Sequence, residues 1–155
     1  MNAYERVRRR LLIAAGAVLA WPVVARAQTA AVADFGKLLQ ELLGTPEVRQ
    51  GRVTLDIPRL ADNGNAVPLK VTVDSPMTAA DHVKTVHLIA EKNPRPLIAV
   101  FHLGPRCGRA EVNTRIRLNG TQFVMAVATL ADGSRWSGIA EVDVTESACY
   151  DATNP

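Results

Sequence analysis

The sequence predicts an all-β fold: an immunoglobulin-like antiparallel β-sandwich of about seven strands, with an N-terminal helix and a flexible C-terminal tail. Three observations predict it. A chain of 155 residues fits one ordinary domain. From Arg52 onward the apolar residues recur with period 2, the repeat of a half-buried strand. Turn-forming clusters separate the alternating runs. The Cys-Trp-Cys spacing of antibody domains is absent, so the prediction rests on strand number and alternation, and a small barrel is the competing architecture.

Before the strands comes an export signal, residues 1–27. Arg6, Arg8, Arg9 and Arg10 form its charged region, Leu11 to Val24 its apolar region, and Ala25-Arg26-Ala27 a small-x-small site with cleavage expected after Ala27. Arg8-Arg9-Arg10-Leu11-Leu12 resembles a twin-arginine signal, with an ordinary Sec signal as the alternative. The expected location is therefore the periplasm, where disulfides are tolerated. The signal holds five of the 18 Lys+Arg and one of the 15 Asp+Glu, which leaves 13 and 14 and a formal charge of −1 in the mature chain. The basic character belongs to the signal, and nothing in the mature part favours nucleic acid. No later stretch is apolar and long enough to read as a membrane span.

Residues 28–50 are expected to hold a helix and a linker. Val32, Phe35, Leu38, Leu39 and Leu42 share one face at i, i+3, i+4 spacing, Gly44 is the expected stop, and Pro46 prevents continuation. Residues 51–145 are expected to form the sandwich. Val53, Leu55 and Ile57 alternate up to Pro58; Asp62-Asn63-Gly64-Asn65 is a strong turn signal; Val67, Leu69, Val71 and Val73 alternate up to Asp74-Ser75-Pro76. Val83 to Ala90 and Leu97 to His102 follow, separated by a Lys92-Asn93-Pro94 turn. Ala110 to Leu118 alternates most cleanly, with Val112, Thr114, Ile116 and Leu118 on one face. Asn119-Gly120 predicts a hairpin joining it to Gln122–Leu130, and Ala131-Asp132-Gly133-Ser134 a second hairpin to Arg135–Val144. Residues 146–155 are the expected tail.

Few residues offer chemistry. His82, His87 and His102 are the only histidines; they lack metal-ligand spacing and no nucleophile elbow accompanies them, so they read as structural imidazoles. The Asp62 turn lacks the glutamate of a calcium loop. Lys92, Arg95, Arg106 and Arg109 are loop cations taken to lie near Cys107, where they would either lower its pKa or simply be solvated. Cys149, in the tail, has access but no built-in base. It is poorly placed to catalyse alone and well placed to carry a group into other proteins' active sites. A bridge to Cys107, an exchanging redox pair with it, and an intermolecular disulfide remain open; an intrachain bridge needs Cα atoms roughly 4.4–6.8 Å apart.

Several segments together resemble the SoxY family: Gly51-Arg52-Val53-Thr54-Leu55-Asp56-Ile57-Pro58, Asp62-Asn63-Gly64-Asn65-Ala66-Val67-Pro68, Val73-Asp74-Ser75-Pro76-Met77, Ala90-Glu91-Lys92-Asn93-Pro94, Phe101-His102 and Ala110-Glu111-Val112-Asn113-Thr114-Arg115-Ile116-Arg117-Leu118. The resemblance runs from about Gly51 to Cys149. It implies an immunoglobulin-like sandwich, twin-arginine export and a heterodimer with SoxZ. It implies a non-enzymatic, cofactor-free carrier that holds thiosulfate-derived sulfur covalently on Cys149. SoxAX, a haem c-type cytochrome, would attach the group, SoxB would release its sulfone as sulfate, and a sulfane dehydrogenase would oxidise the remainder. In that family the cysteine is flanked by Gly-Gly on each side. Here Ser147-Ala148 and Tyr150-Asp151 occupy the flanks. Glycines make an arm thin and free, whereas Tyr150 is bulky and Asp151 anionic. The alternative reading is therefore a non-carrying SoxY paralogue that serves as a SoxZ-binding structural subunit.

Overall fold

A computed structural model of the chain describes residues 35–44 and 47–148. The chain divides into two units, residues 1–36 and 37–155, and every strand belongs to the second. Residues 35–43 are helical, with Phe35 and Leu39, four apart, buried. The helix stops at Gly44 (φ +62°), whose N–H reaches the Gln40 carbonyl at 3.2 Å. Val32, the export signal and residues 149–155 lie outside the described residues.

Among the described residues nine strands form two sheets. They are β1 (Val48–Gln50), β2 (Val53–Asp56), β3 (Leu60–Asn63), β4 (Val67–Val73), β5 (Val83–Ala90), β6 (Leu97–His102), β7 (Glu111–Ile116), β8 (Gln122–Leu130) and β9 (Arg135–Glu146). The large sheet runs β1-β9-β8-β5-β6, with β3 also on β9, and the small one β2-β4-β7. Together they make an immunoglobulin-like sandwich. All seven expected strands are present. The two additional ones, β1 and β3, lie parallel to β9, at Arg135–Ser137 and Asp143–Glu146 respectively, while the remaining pairings are antiparallel.

Alternation decides the core. Val67, Leu69, Val71 and Val73 of β4 face Val86, Leu88 and Ala90 of β5 and Val124, Ala126, Ala128 and Leu130 of β8 in one cluster. At roughly 25 cal/mol per Å² of apolar surface, each fully buried Val or Leu stabilises the sandwich by about 1.5–3 kcal/mol relative to exposure. Ile89, Met125 and Val127 have the opposite parity yet are also buried, so the centre of the large sheet's outer face is closed to water. Gly138 sets the spacing between the sheets. A Cβ there would collide with the Val53 carbonyl and stand 2.8 Å from Leu55 Cδ1, so no larger residue lets β2 lie this close to β9. At the β1–β2 corner the Arg49 and Arg52 guanidinium groups lie 5.9 and 5.7 Å from the Trp136 ring centroid. Arg52 takes φ +54° there and is held by a bond from Nε to the Asp74 carbonyl (2.9 Å).

Two expectations about connections are corrected. Asn119-Gly120 does not close a hairpin: β7 pairs with β4, and β8 with β5 and β9, so residues 117–121 cross from the small sheet to the large one. A hairpin signal specifies the local turn but not the neighbour, and Ile116 is already satisfied opposite Val67. The Asp62–Asn65 stretch is half strand. Asp62 and Asn63 belong to β3, and the turn is the following 3-10 segment Gly64–Ala66, capped by Asn63 Oδ1 accepting from the Asn65 N–H at 2.8 Å.

Candidate functional site: the root of the C-terminal arm

β9 carries the chain toward Cys149, and what holds its end determines where that residue starts. The strand continues to Glu146, past the expected limit, because β3 supplies a partner up to the Asn63–Glu146 pair. Ser147 and Ala148 leave the sheet but are held. The Ser147 hydroxyl donates to Asn119 Oδ1, and the Ala148 N–H donates to the Leu118 carbonyl at 3.1 Å. Both acceptors belong to the crossover that the sequence presents as a hairpin.

A set of side-chain amides fixes that crossover. Asn119 donates from Nδ2 to the Lys92 carbonyl (3.2 Å), and its backbone N–H donates to Asn93 Oδ1 (2.9 Å). Asn93 donates from Nδ2 to the Arg117 carbonyl (2.8 Å). Gln122, 1% exposed, donates to Asn93 Oδ1 (3.0 Å) and accepts from the Lys92 N–H (2.9 Å). The Lys92 ammonium donates to the Thr121 carbonyl (2.7 Å), and Thr121 Oγ1 accepts from the Val144 N–H (3.0 Å). The β5–β6 turn, the crossover and the end of β9 are thus one hydrogen-bonded rim. Each bond is worth about 0.5–1.5 kcal/mol net, and breaking the network exposes the larger penalty of a buried unpaired amide.

Gly64 forms the floor of this rim. Its carbonyl accepts from the Leu118 N–H (2.9 Å). A Cβ on it would collide with the Leu118 carbonyl and stand 3.0 Å from both the Ala148 nitrogen and Val144 Cγ1. The glycine that the sequence offers as a turn former is required for close approach.

The other sequence candidates lie elsewhere. Cys149 itself is outside the described residues. Cys107 is an exposed thiol in the 3-10 segment Pro105–Cys107. Its loop is pinned on one side by the Leu103 N–H on the Lys84 carbonyl (2.9 Å) and on the other by the Val73 N–H on the Ala110 carbonyl (2.9 Å). Val73 and Val67 are the two ends of β4, and Val67 pairs with Ile116 near the arm root. The loop and the root are therefore at opposite ends of the sandwich, about 20 Å apart along β4 at ~3.3 Å per residue. This corrects the grouping of Lys92 and Arg95 with Cys107. Both sit in the turn between β5 and β6, and β6 carries the chain away from them to the other end.

His82 contacts the Thr78 carbonyl through Nδ1 (3.1 Å). His87 and His102 share the outer side of the large sheet, on neighbouring strands. Burial pushes the His87 pKa below 6.5; a backbone hydrogen bond at Val127 opposes the shift, and the positive charges of Arg135 and His102 add to it. No cluster of three or more His, Cys, Asp or Glu side chains suited to a metal occurs among the described residues. Among the described residues, two surface depressions border the small sheet, one beside Asp56, Lys70 and Arg115 and another beside Arg52, Thr72 and Glu111. Neither touches the arm root.

Sequence reasoning missed the amide network because Asn93 and Asn119 read as turn formers. One signal was available. Gln122 falls in register with Val124, Ala126, Ala128 and Leu130, so it faces the interior, and an interior amide requires partners.

Known structures share this architecture. The sulfur carrier protein SoxY from Chlorobium limicola f thiosulfatophilum matches with a TM-score of 0.60 at 23% identity, over 74% of this chain and 98% of its own. The superoxide reductase (neelaredoxin) from Ignicoccus hospitalis matches with a TM-score of 0.54 at 16% identity, over 61% and 80%. A putative superoxide reductase from Thermotoga maritima does so with 0.53 at 18%, over 64% and 89%. At these identities the likeness is one of fold. No curated protein matches the sequence. The model of the sulfur oxidation protein SoxY family matches residues 39–149, a span that covers the whole sandwich, the arm root and Cys149 as its last residue, and the chain belongs to the SoxY family.

Proposed function

We propose that this protein is a periplasmic sulfur carrier that holds thiosulfate-derived sulfur on Cys149 for partner enzymes. The observation that carries the reading is the reach of the family match, which ends on Cys149 itself, one residue beyond the rim that holds Ala148. A thiolate at that place is delivered to partners rather than supplied with a catalytic base.

The chemistry balances with partners of the same system. Cys149 thiolate and thiosulfate join through an S–S bond to give Cys149–S–S–SO3⁻, and the electron pair lost goes to the haem c-type cytochrome SoxAX. SoxB adds water to the terminal sulfone, releasing sulfate and protons and leaving a persulfide; a sulfane dehydrogenase oxidises its outer sulfur to a sulfone with oxygen from water, passing the electrons to that enzyme's own electron acceptor, and a second hydrolysis by SoxB releases sulfate and regenerates the Cys149 thiolate. The carrier supplies the thiol, its presentation and the docking surfaces, and brings no cofactor. A SoxZ-like subunit completes a heterodimer, and twin-arginine export with removal of residues 1–27 places the protein in the periplasm.

A second reading is favoured by the arm's own residues: Ser147-Ala148 and Tyr150-Asp151 replace glycines, and a chain with such flanks can keep the SoxZ-binding sandwich without carrying sulfur. The Cys149→Ser variant separates the two in cells that depend on this protein. Loss of thiosulfate oxidation, with a SoxZ-like subunit still co-purifying, is the carrier's result. Full oxidation with the same co-purification is that of the structural subunit.

A further inference from the structure

Among the described residues the sandwich has five edge strands, and four of them are short or charged. β1 has three residues including Arg49, β2 ends on Asp56, β3 carries Asp62, and β7 carries Glu111 and Arg115. Short length and charged side chains are the usual guards of an open strand edge. β6 differs. Its six residues, Leu97-Ile98-Ala99-Val100-Phe101-His102, include no Asp, Glu, Lys, Arg or Pro, and among the described residues only β5 pairs with it. The register says which of its backbone groups are unused. The Leu103 N–H bonds the Lys84 carbonyl (2.9 Å), in line with the Phe101–Val86 and Ala99–Leu88 pairs. Bonded and non-bonded pairs alternate in an antiparallel ladder. Residues 99, 101 and 103 therefore turn their N–H and C=O groups to β5, and Val100 and His102 turn theirs outward. Ile98, Phe101 and Leu103 are only half-buried on the core, and Val100 is 38% exposed. An extended chain laid here gains main-chain bonds and apolar cover together.

Charge says what kind of chain. β2 lies against β9, at Val53 and Gly138, so β2-β4-β7 and β9-β8-β5-β6 run across the sandwich in the same direction, and β6 and β7 end at the same side. Residues 93–117, which hold both strands, carry five arginines and one glutamate, a formal +4 in a mature chain of −1. Arg95, Arg106, Arg109, Arg115 and Arg117 are all exposed, and none makes an ion pair among the described residues; Glu111 is occupied by Lys70 at 3.1 Å. Arg95 precedes β6, and Arg106 and Arg109 follow it. A second copy of this chain would bring the same cations to the edge and be repelled.

We propose that the β6 edge is a docking site for a partner protein that adds one extended strand with carboxylates at its ends, continuing the large sheet beyond β6. The proposal goes beyond sulfur carriage and does not depend on it. Val100 and His102 supply the main-chain bonds, and Ile98 and Phe101 the apolar contact. The arginines select an acidic chain and speed its encounter.

The test uses the mature chain and three capped peptides: an alternating valine–threonine strand ended by glutamates, the same strand ended by lysines, and the glutamate form with a proline at its centre. Amide hydrogen exchange and chemical shifts read the binding. In the free protein the Phe101 and Leu103 amides are expected to be protected and those of Val100 and His102 to exchange fast. The glutamate-ended peptide is expected to protect Val100 and His102 and to leave the Val127 amide in β8 unchanged. The lysine-ended peptide is expected to bind roughly tenfold more weakly, and the proline form not at all. Val100→Pro removes an N–H that the fold does not use and is expected to abolish binding. The triple variant Arg95→Glu, Arg106→Glu, Arg109→Glu leaves the ladder intact and is expected to reverse the preference, toward the lysine-ended peptide. Val100 and His102 amides already protected in the free monomer, no response to the glutamate-ended peptide, or equal binding of the two charged peptides overturns the proposal. A dimer in sedimentation that Val100→Pro dissolves also overturns it, because a second copy is then the occupant.

Discussion

Cys107 and Ala148 lie at opposite ends of the sandwich, separated by the length of β4. Cys107 sits between the pinned residues Leu103 and Ala110, while Ala148 is bonded to Leu118, and the peptide that follows Ala148 leads to Cys149. An intrachain disulfide between Cys107 and Cys149 would need their Cα atoms roughly 4.4–6.8 Å apart. We predict that none forms. Peptide mapping of unreduced protein after thiol blocking should show Cys107 alkylated and no cross-linked Cys107–Cys149 peptide. Recovery of that cross-linked peptide in major yield would contradict the geometry and revive a redox pair.

Gly64→Ala should destabilise the protein by about 1–3 kcal/mol, the usual cost of overpacking a closed site. The clash is with backbone, the Leu118 carbonyl and the Ala148 nitrogen, which move only if the arm root moves. Urea denaturation measures it. An unchanged midpoint would mean that the rim relaxes freely.

Gln122→Leu keeps the approximate volume but removes the acceptor for the Lys92 N–H and a donor to Asn93. A loss of about 1–3 kcal/mol is expected from buried groups left unpaired. Gln122→Glu keeps an acceptor for the Lys92 N–H but sets a buried carboxylate oxygen against Asn93 Oδ1, and should lose at least as much as Leu. Equal stability of all three, by the same denaturation, would remove the network from the account.

Acid should weaken the fold through His87. Its pKa is lowered in the folded state, chiefly by burial, so the unfolded chain binds the proton more readily. Above 6.5 both states are neutral at this residue and it contributes no pH dependence. As the pH falls below that value the unfolded state gains the proton first and stability drops, levelling once the folded state is protonated too. Thermal midpoints between neutral pH and pH ~5 should fall in the wild type and fall less in His87→Gln. Parallel curves would show that His87 is not the group responsible.

Much of this molecule is legible in its sequence, for a physical reason. Residues such as Val67, Leu69, Val71 and Val73 are buried on one face, and period-2 alternation reports burial directly. β1 and β3 escaped because three or four residues carry no period, and because Leu60, at 63% exposed, looks nothing like a core residue. Both exist only because β9, far along the chain, offers its edge. The β7–β8 crossover escaped for the same reason: alternation says which face is buried and not which strand lies alongside. At the candidate site, Cys149 was legible as a position in a family pattern. The rim that holds its root was not, since Asn93, Lys92 and Asn119 become neighbours only after the crossover brings residues 117–121 against the β5–β6 turn.

The central claim is that Cys149 carries sulfur, and intact-mass measurement of the protein taken directly from cells oxidising thiosulfate tests it most directly. The account predicts a population heavier by a thiosulfonate or a sulfane sulfur, shifted back to the unmodified mass by a thiol reductant and absent from Cys149→Ser. Protein from such cells that shows only the unmodified mass, with and without reductant, would contradict it.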